Sequence, residues 1–292
     1  EALDFIGSYD DALTTDEVNE ILGLPKVLGV FKDAEKPKEL FCIALEDLND
    51  GYAVLDQTTG VDFDSMKELF ILDAELHAKF WESPLLDSVP YLSIGQVKGA
   101  GYSPCFESWY EPAYTSQAVE QTKVWEELCK AAPYNADTHA GEYGPSIKKM
   151  TDLIAANPKG FVAAVSAELE TRPRTLIHGD FRSENVFKAT DPANPLGYKI
   201  IDWQCLNPGP AGFDFVQLVT GSLRDVSDYS RLGELMKAHH DRLVELVPEA
   251  AKTYPYDTMV RDYALGYALI YIAFIGLLTP IMQAVKEIPG HP

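Results

Sequence analysis

Basic side chains are scarce in this sequence. Its 292 residues hold 24 Lys and Arg against 45 Asp and Glu, a formal net charge of −21 at pH 7. Nucleic-acid binding rests on cations that neutralise phosphates, so this balance excludes a nucleic-acid partner. It suits a solvated, self-repelling surface. Cysteine is scarce too: Cys42, Cys105, Cys129 and Cys205 form no C-x-x-C pair and give neither a disulfide framework nor a zinc site. Cys42 lies in an apolar run and reads as a buried thiol, and the four together point to a reducing, cytoplasmic compartment. There is no low-complexity tract, no internal repeat and no signal peptide. The chain begins at Glu1 rather than Met, which reads as a cut or processed start. Charge is missing altogether from Tyr263 to Met282, a stretch near membrane-spanning length. Gly266, Gly276, Pro280 and the lack of a basic flank make it a buried core helix rather than a membrane span.

What is present alternates between helix and strand signals. Thr14 and Glu17 have capping-box spacing ahead of Val18, Ile21 and Leu22, predicting a helix over 1–23. Two strand-like runs follow, Lys26–Phe31 and Leu40–Leu45, joined by a charged turn, and then a loop over Asn49–Gly60. Asp64 is expected to cap a helix whose Met66, Leu69, Leu72, Leu76 and Phe80 make one apolar stripe. Further helices are predicted over 116–131, 146–156, 160–170, 214–223, 226–246 and 258–278. A β-rich island interrupts them from Thr175 to Gln204. The order predicts an α+β fold.

The island carries the chemistry. A short β-prone run, Thr175–Ile177, leads into His178-Gly179-Asp180 and a polar loop; Asn185 opens a second run and Asp202 closes a third. The Asp-, Pro-, Asn- and Gly-rich segment Thr190–Gly197 makes the last two runs a hairpin. Folding it symmetrically sets Asn185 opposite Asp202, with Asp180 just outside. An amide oxygen and a carboxylate suit Mg²⁺, which takes hard oxygens and few carboxylates. A second carboxylate can accept the proton of an attacking hydroxyl.

The spacing H-G-D-(four residues)-N over His178–Asn185 matches the kinase catalytic loop. Asp202-Trp203-Gln204 departs from the D-F-G of protein kinases and resembles the aminoglycoside phosphotransferase and choline-kinase superfamily. Leu45-Glu46-Asp47-Leu48 resembles the adenine-binding hinge, Glu75 to Trp81 the helix after it, and Phe213-Asp214-Phe215 the start of the helix whose Asp anchors the catalytic loop. Together these look most like the ecdysteroid kinase-like branch, over roughly residues 25–285. The resemblance implies a protein-kinase-like fold with an incomplete small N-lobe over 1–48 and a large, mainly helical C-lobe over 49–292. It also implies transfer of the γ-phosphoryl of ATP to a hydroxyl of a small molecule. Asp180 inherits the role of base, and His178 stands beside it, supporting the loop. Asn185 and Asp202 inherit magnesium, and Glu46, Asp47 and Leu48 the nucleotide.

A glycine-rich phosphate loop and the strand lysine that pairs with a helix glutamate do not follow in this sequence. Lys32 ends a strand but is followed by another strand. Glu1, Glu17 and Glu20 remain alternatives for the glutamate. The expectation is that the first N-lobe strands lie upstream of Glu1. The competing expectation is a non-catalytic kinase-like binding module. His77 reads as a hydrogen-bonded core histidine. Trp81, Trp109, Tyr110, Tyr114, Trp125 and Trp203 read mainly as packing, with a cation cage as the alternative.

Overall fold

The computed structural model describes residues 23–32, 35, 41–57, 59–88, 149, 152–153, 156–194, 197–224 and 230–270. The expected helices over 1–23 and 116–131, most of 146–156, and the uncharged residues 271–282 lie outside them, as do Glu1, Glu17 and Glu20. Among the described residues no helix is long and apolar enough to cross a membrane.

Strands β1 (Val27–Lys32) and β2 (Phe41–Leu45) form an antiparallel ribbon in which Phe31 faces Cys42 and Val30 faces Ile43. Leu28, Phe31 and Ile43 are exposed on it. Cys42 is exposed as well, correcting the expected buried thiol. An apolar run is buried only if a second layer covers it, and no described element lies over this ribbon. Strand β3 (Tyr52–Val54) lies within the segment expected to be a loop.

Helix α1 (Phe63–Lys79) starts one residue before the expected cap. Asp62, not Asp64, is the N-cap, with extended backbone, and its Oδ1 accepts the Ser65 N–H at 2.9 Å. That bond, the chief cause, holds the Asp62 carboxyl below its usual range. A short helix α2 (Leu85–Ser88) follows. Next in the described chain comes α3 (Pro158–Leu169), capped by Asn157, whose Oδ1 accepts the Gly160 N–H at 3.1 Å, with proline in the first turn. The island then supplies β4 (Thr175–Ile177), β5 (Val186–Ala189) and β6 (Tyr198–Ile200), and β7 (Asn207–Gly209) lies just beyond it. Helices α4 (Ala211–Ser222), α5 (Leu232–Leu246), α6 (Ala250–Thr253) and α7 (256–270) complete the described chain. The fold is α+β, as expected.

The predicted hairpin belongs to a three-stranded antiparallel sheet in the order β3-β5-β6, and β4 pairs with β7. The core sits between α1, α4 and α5. Met66, Leu69 and Phe70 from α1 meet Phe215, Leu218 and Val219 from α4 and Leu235 and Leu243 from α5, all fully buried. The rings of Phe70 and Phe215 lie 4.8 Å apart. Each such side chain contributes roughly 1.5–3 kcal/mol through burial. This packing fixes the platform on which the β-rich island rests.

Charged contacts tie α3 to α7. Arg172 donates from Nε to buried Asp262 Oδ1 at 2.8 Å and from Nη2 to Glu168 Oε1 at 2.8 Å. Arg261 also donates to Glu168, at 2.9 Å from Nη2 to Oε2. Arg261 first, then Arg172, pushes the Glu168 carboxyl down from 4.5 to about 2. A depressed carboxylate stabilises the fold in full above its unfolded pKa and loses that contribution as pH falls through the folded one. Between about pH 4.5 and pH 2 the wild type should therefore lose stability that Glu168→Gln never had. Urea melts of both proteins across that window should converge on acidification; parallel curves would contradict the assignment.

Candidate active site

The site begins where β4 ends. Gly179 has φ +78, and a Cβ there would sit 2.3 Å from the Cys205 carbonyl oxygen. Only glycine lets the chain turn out of the strand this close to its neighbour. Gly179→Ala should cost more than about 2 kcal/mol, from a left-handed conformation and a backbone clash together. Denaturant unfolding reads it directly, and a loss within error of zero would contradict the geometry.

Asp214, at the first turn of α4, holds this bend. Its Oδ2 accepts the His178 N–H at 2.6 Å and its Oδ1 accepts the Gly179 N–H at 2.8 Å. Gln217, three residues along the same helix, donates from Nε2 to the Gly179 carbonyl at 3.0 Å. Both charge-assisted bonds are buried, where they are strongest. The expected anchoring by Asp214 is thus present as geometry.

His178 braces the loop from the other side. Its Nε2 lies 2.9 Å from the Ile201 carbonyl oxygen, which only an N–H can satisfy. Its Nδ1 therefore carries the lone pair and accepts the Asp180 N–H at 3.2 Å. The ring packs 4.6 Å from that of Trp203, whose Nε1 donates to the Ile200 carbonyl at 3.0 Å. With both nitrogens committed to backbone, His178 links the loop to the end of β6.

Asp180 and Asn185 touch. Asn185 Nδ2 donates to the Asp180 carbonyl at 2.9 Å and to the Asp180 carboxylate Oδ2 at 3.3 Å. With Nδ2 spent on Asp180, Oδ1 is the remaining polar atom of the Asn185 side chain. Arg182 Nε lies 3.6 Å from the same carboxylate, and Arg182 also bonds Glu184. Burial pushes the Asp180 carboxyl above its usual range, opposed by Arg182, His178 and the Asn185 bond and assisted by Asp202. The Asp202 charge is therefore felt at Asp180.

The hairpin register differs from the symmetric one. Val186 pairs with Ile200 and Phe187 with Lys199, so the partner of Asn185 is Ile201, whose N–H reaches the Asn185 carbonyl at 2.9 Å. Asp202 falls one residue past the end of the ladder. In a regular strand that offset would turn its side chain to the opposite face. Instead Asp202 adopts φ 64 and ψ 50. This left-handed turn is one that Asp tolerates better than most side chains, and its carboxylate remains exposed near Asp180.

The segment 45–48 is attached to the same hairpin. Glu46 Oε1 accepts the Lys26 N–H at 2.7 Å and lies 3.5 Å from Lys199 Nζ on β6. Lys199 also donates to the Leu24 carbonyl at 2.8 Å. Asp47 Oδ1 accepts the Asn49 N–H at 3.0 Å, making a local turn, and Leu48 is buried. Glu46 and Asp47 thus spend their carboxylates on structure, and the Glu46 N–H is bonded to the Lys26 carbonyl at 2.9 Å.

Sequence reasoning missed a buried cluster under the loop. His77 Nδ1 and His239 Nε2 are 2.9 Å apart, and His77 Nε2 lies 3.5 Å from Asp214 Oδ2. His77 is the hydrogen-bonded core histidine expected. Its partner was not foreseen, because the two are 162 residues apart. Trp81 and Trp203 pack against the core, at Tyr254 and His178. Trp109, Tyr110, Tyr114 and Trp125 lie outside the described residues.

Comparison with known proteins bears on this geometry. The sequence model of the ecdysteroid kinase-like family matches residues 11–251. Methylthioribose kinases of two Bacillus cereus strains are 31% identical to the chain over 104 residues, which is 35% of this chain and 25% of theirs. The chain thus spans about a quarter of the length of the curated relatives it matches. Among solved structures, a choline/ethanolamine kinase family protein of Mesorhizobium loti is 14% identical, covering 91% of this chain and 78% of its own at a TM-score of 0.33. The ethanolamine kinase Pv091845 of Plasmodium vivax is 13% identical, covering 94% and 74% at 0.40. Likenesses that low carry no weight for the chemistry.

Proposed function

The chain belongs to the ecdysteroid kinase-like family, and on that premise we propose that it carries the catalytic residues of an ATP-dependent small-molecule kinase that phosphorylates a hydroxyl group. The observation that carries this reading is the direct contact of Asn185 with the Asp180 carboxylate, within electrostatic reach of Asp202. Asp180 accepts the hydroxyl proton; its partial burial raises its basicity towards that task. Asn185 Oδ1 and the exposed Asp202 carboxylate are hard oxygens of the kind Mg²⁺ selects, so the donor set fits the ion. Magnesium held there would neutralise charge on the phosphates of ATP. His178 and Asp214 keep the loop at fixed distance from the hairpin, and such positioning supplies most of the catalysis in phosphoryl transfer.

In this reading residues 1–48 belong to the nucleotide-side lobe, with Glu46, Asp47 and Leu48 offering backbone groups to adenine. Residues 49–292 form the lobe that takes the acceptor, in the cytoplasm where ATP is available. The methylthioribose kinases make sugar hydroxyls the first acceptors to try. A screen of hydroxylated metabolites with the complete protein, Mg²⁺ and ATP tests the reading. An acceptor-dependent release of ADP is expected for at least one compound. ATP binding without turnover across sugars, amino alcohols and sterols would favour a non-catalytic module.

A further inference from the structure

Asp73 and His77 are one helical turn apart on α1, and α5 brings His239 against both. All three side chains are at most 1% exposed. Asp73 Oδ1 lies 3.3 Å from His77 Nε2, and Asp73 Oδ2 lies 3.6 Å from His239 Nε2. One ligand atom from each residue falls within 4.8 Å of the others. Among the described residues, both Asp73 oxygens, His77 Nε2 and His239 Nδ1 have no hydrogen-bond partner. Buried polar atoms are rarely left so. Three of these atoms, both Asp73 oxygens and His77 Nε2, belong to one cluster and call for a missing charge or proton.

We propose that Asp73, His77 and His239 bind a divalent transition-metal cation of the zinc class, as a structural site beneath the catalytic loop. Zinc bonds of about 2.0–2.2 Å in a tetrahedron separate neighbouring ligand atoms by roughly 3.3–3.6 Å. Each histidine Nε2 stands at such a spacing from one Asp73 oxygen, His77 from Oδ1 and His239 from Oδ2, so the carboxylate would meet the cation through either or both oxygens. His239 enters by trading its Nε2 contact with His77 Nδ1, 2.9 Å long, for the cation. Two imidazoles and one carboxylate favour zinc over magnesium, which takes oxygen. Burial leaves no room for a substrate at the metal, so the site fastens α1 to α5 rather than reacting. Through His77 Nε2, 3.5 Å from Asp214 Oδ2, it also lies under the residue that holds the bend at Gly179. Burial, together with the Asp214 charge, pushes the Asp73 carboxyl well up, and burial pushes His239 well down. The competing arrangement is a protonated Asp73 with two metal-free imidazoles.

The test uses the complete protein made without a histidine tag and refolded in Zn²⁺, because a buried site fills as the chain folds. After dialysis against a chelator, mass spectrometry of metals should find about one equivalent of zinc per chain. Refolding in Co²⁺ should give the visible absorption of a tetrahedral cobalt site. Both signals should vanish in Asp73→Asn and His239→Gln and persist in Asp202→Asn. Should either cluster variant fail to fold, the wild-type zinc content and cobalt spectrum decide alone. Zinc below about a tenth of an equivalent, or a cobalt spectrum unchanged in a folded cluster variant, would overturn the site. The readout is metal content, so it stands or falls apart from ATP turnover.

Discussion

Asp180→Asn in the complete protein should lower kcat by about 10²- to 10⁴-fold, the range for loss of a positioned base. That is about 3–5 kcal/mol of transition-state stabilisation. The substitution is nearly isosteric. An asparagine oxygen can still accept the Asn185 Nδ2 bond now made to Oδ2 at 3.3 Å, and the backbone bonds to His178 and Asn185 do not involve the side chain. Loop geometry and Mg·ATP affinity should therefore change little while proton acceptance is lost. A fall in kcat with an unchanged thermal midpoint is the expected pattern. Near-normal turnover would remove Asp180 from the mechanism.

The second large effect is expected at Asp202. Asparagine also tolerates left-handed backbone, so Asp202→Asn keeps φ near the observed 64 while deleting the charge. With Asn185 a neutral ligand, Asp202 is the only carboxylate in the proposed magnesium set. Calorimetry should show the magnesium-dependent gain in ATP affinity falling at least about tenfold, or 1.4 kcal/mol. Magnesium-free ATP binding should be spared. Equal Mg·ATP affinity in mutant and wild type would mean that the cation is held elsewhere.

Much of the site was legible because its signals are local. Spacing alone related His178, Asp180 and Asn185, and the stripe on α1 named side chains that are indeed buried, Met66, Leu69 and Leu76 among them. Non-local features were harder. Asn207-Pro208-Gly209, for which no strand was expected and whose residue types favour turns, pairs as β7 with β4 and is wholly buried. Tertiary packing overrode its propensity. Tyr52–Val54 is a strand because β5 is there to pair with it. The register of the hairpin slipped by one from the symmetric fold because a loop as long as 190–197 does not fix it. Asp202 lies near Asp180 with a left-handed backbone that sequence does not display. Asp73 and His77 share an i,i+4 spacing on α1, but His239 joins them only because helix packing sets α5 against α1.

The central claim is that Asp180, Asn185 and Asp202 serve one phosphoryl-transfer centre. A crystal structure of the complete protein with Mg²⁺ and a non-hydrolysable ATP analogue tests it most directly. The account predicts a magnesium ion about 2.0–2.1 Å from Asn185 Oδ1 and from an Asp202 oxygen, with the γ-phosphate facing Asp180. A nucleotide bound away from these residues, or a metal that bypasses both, would contradict it.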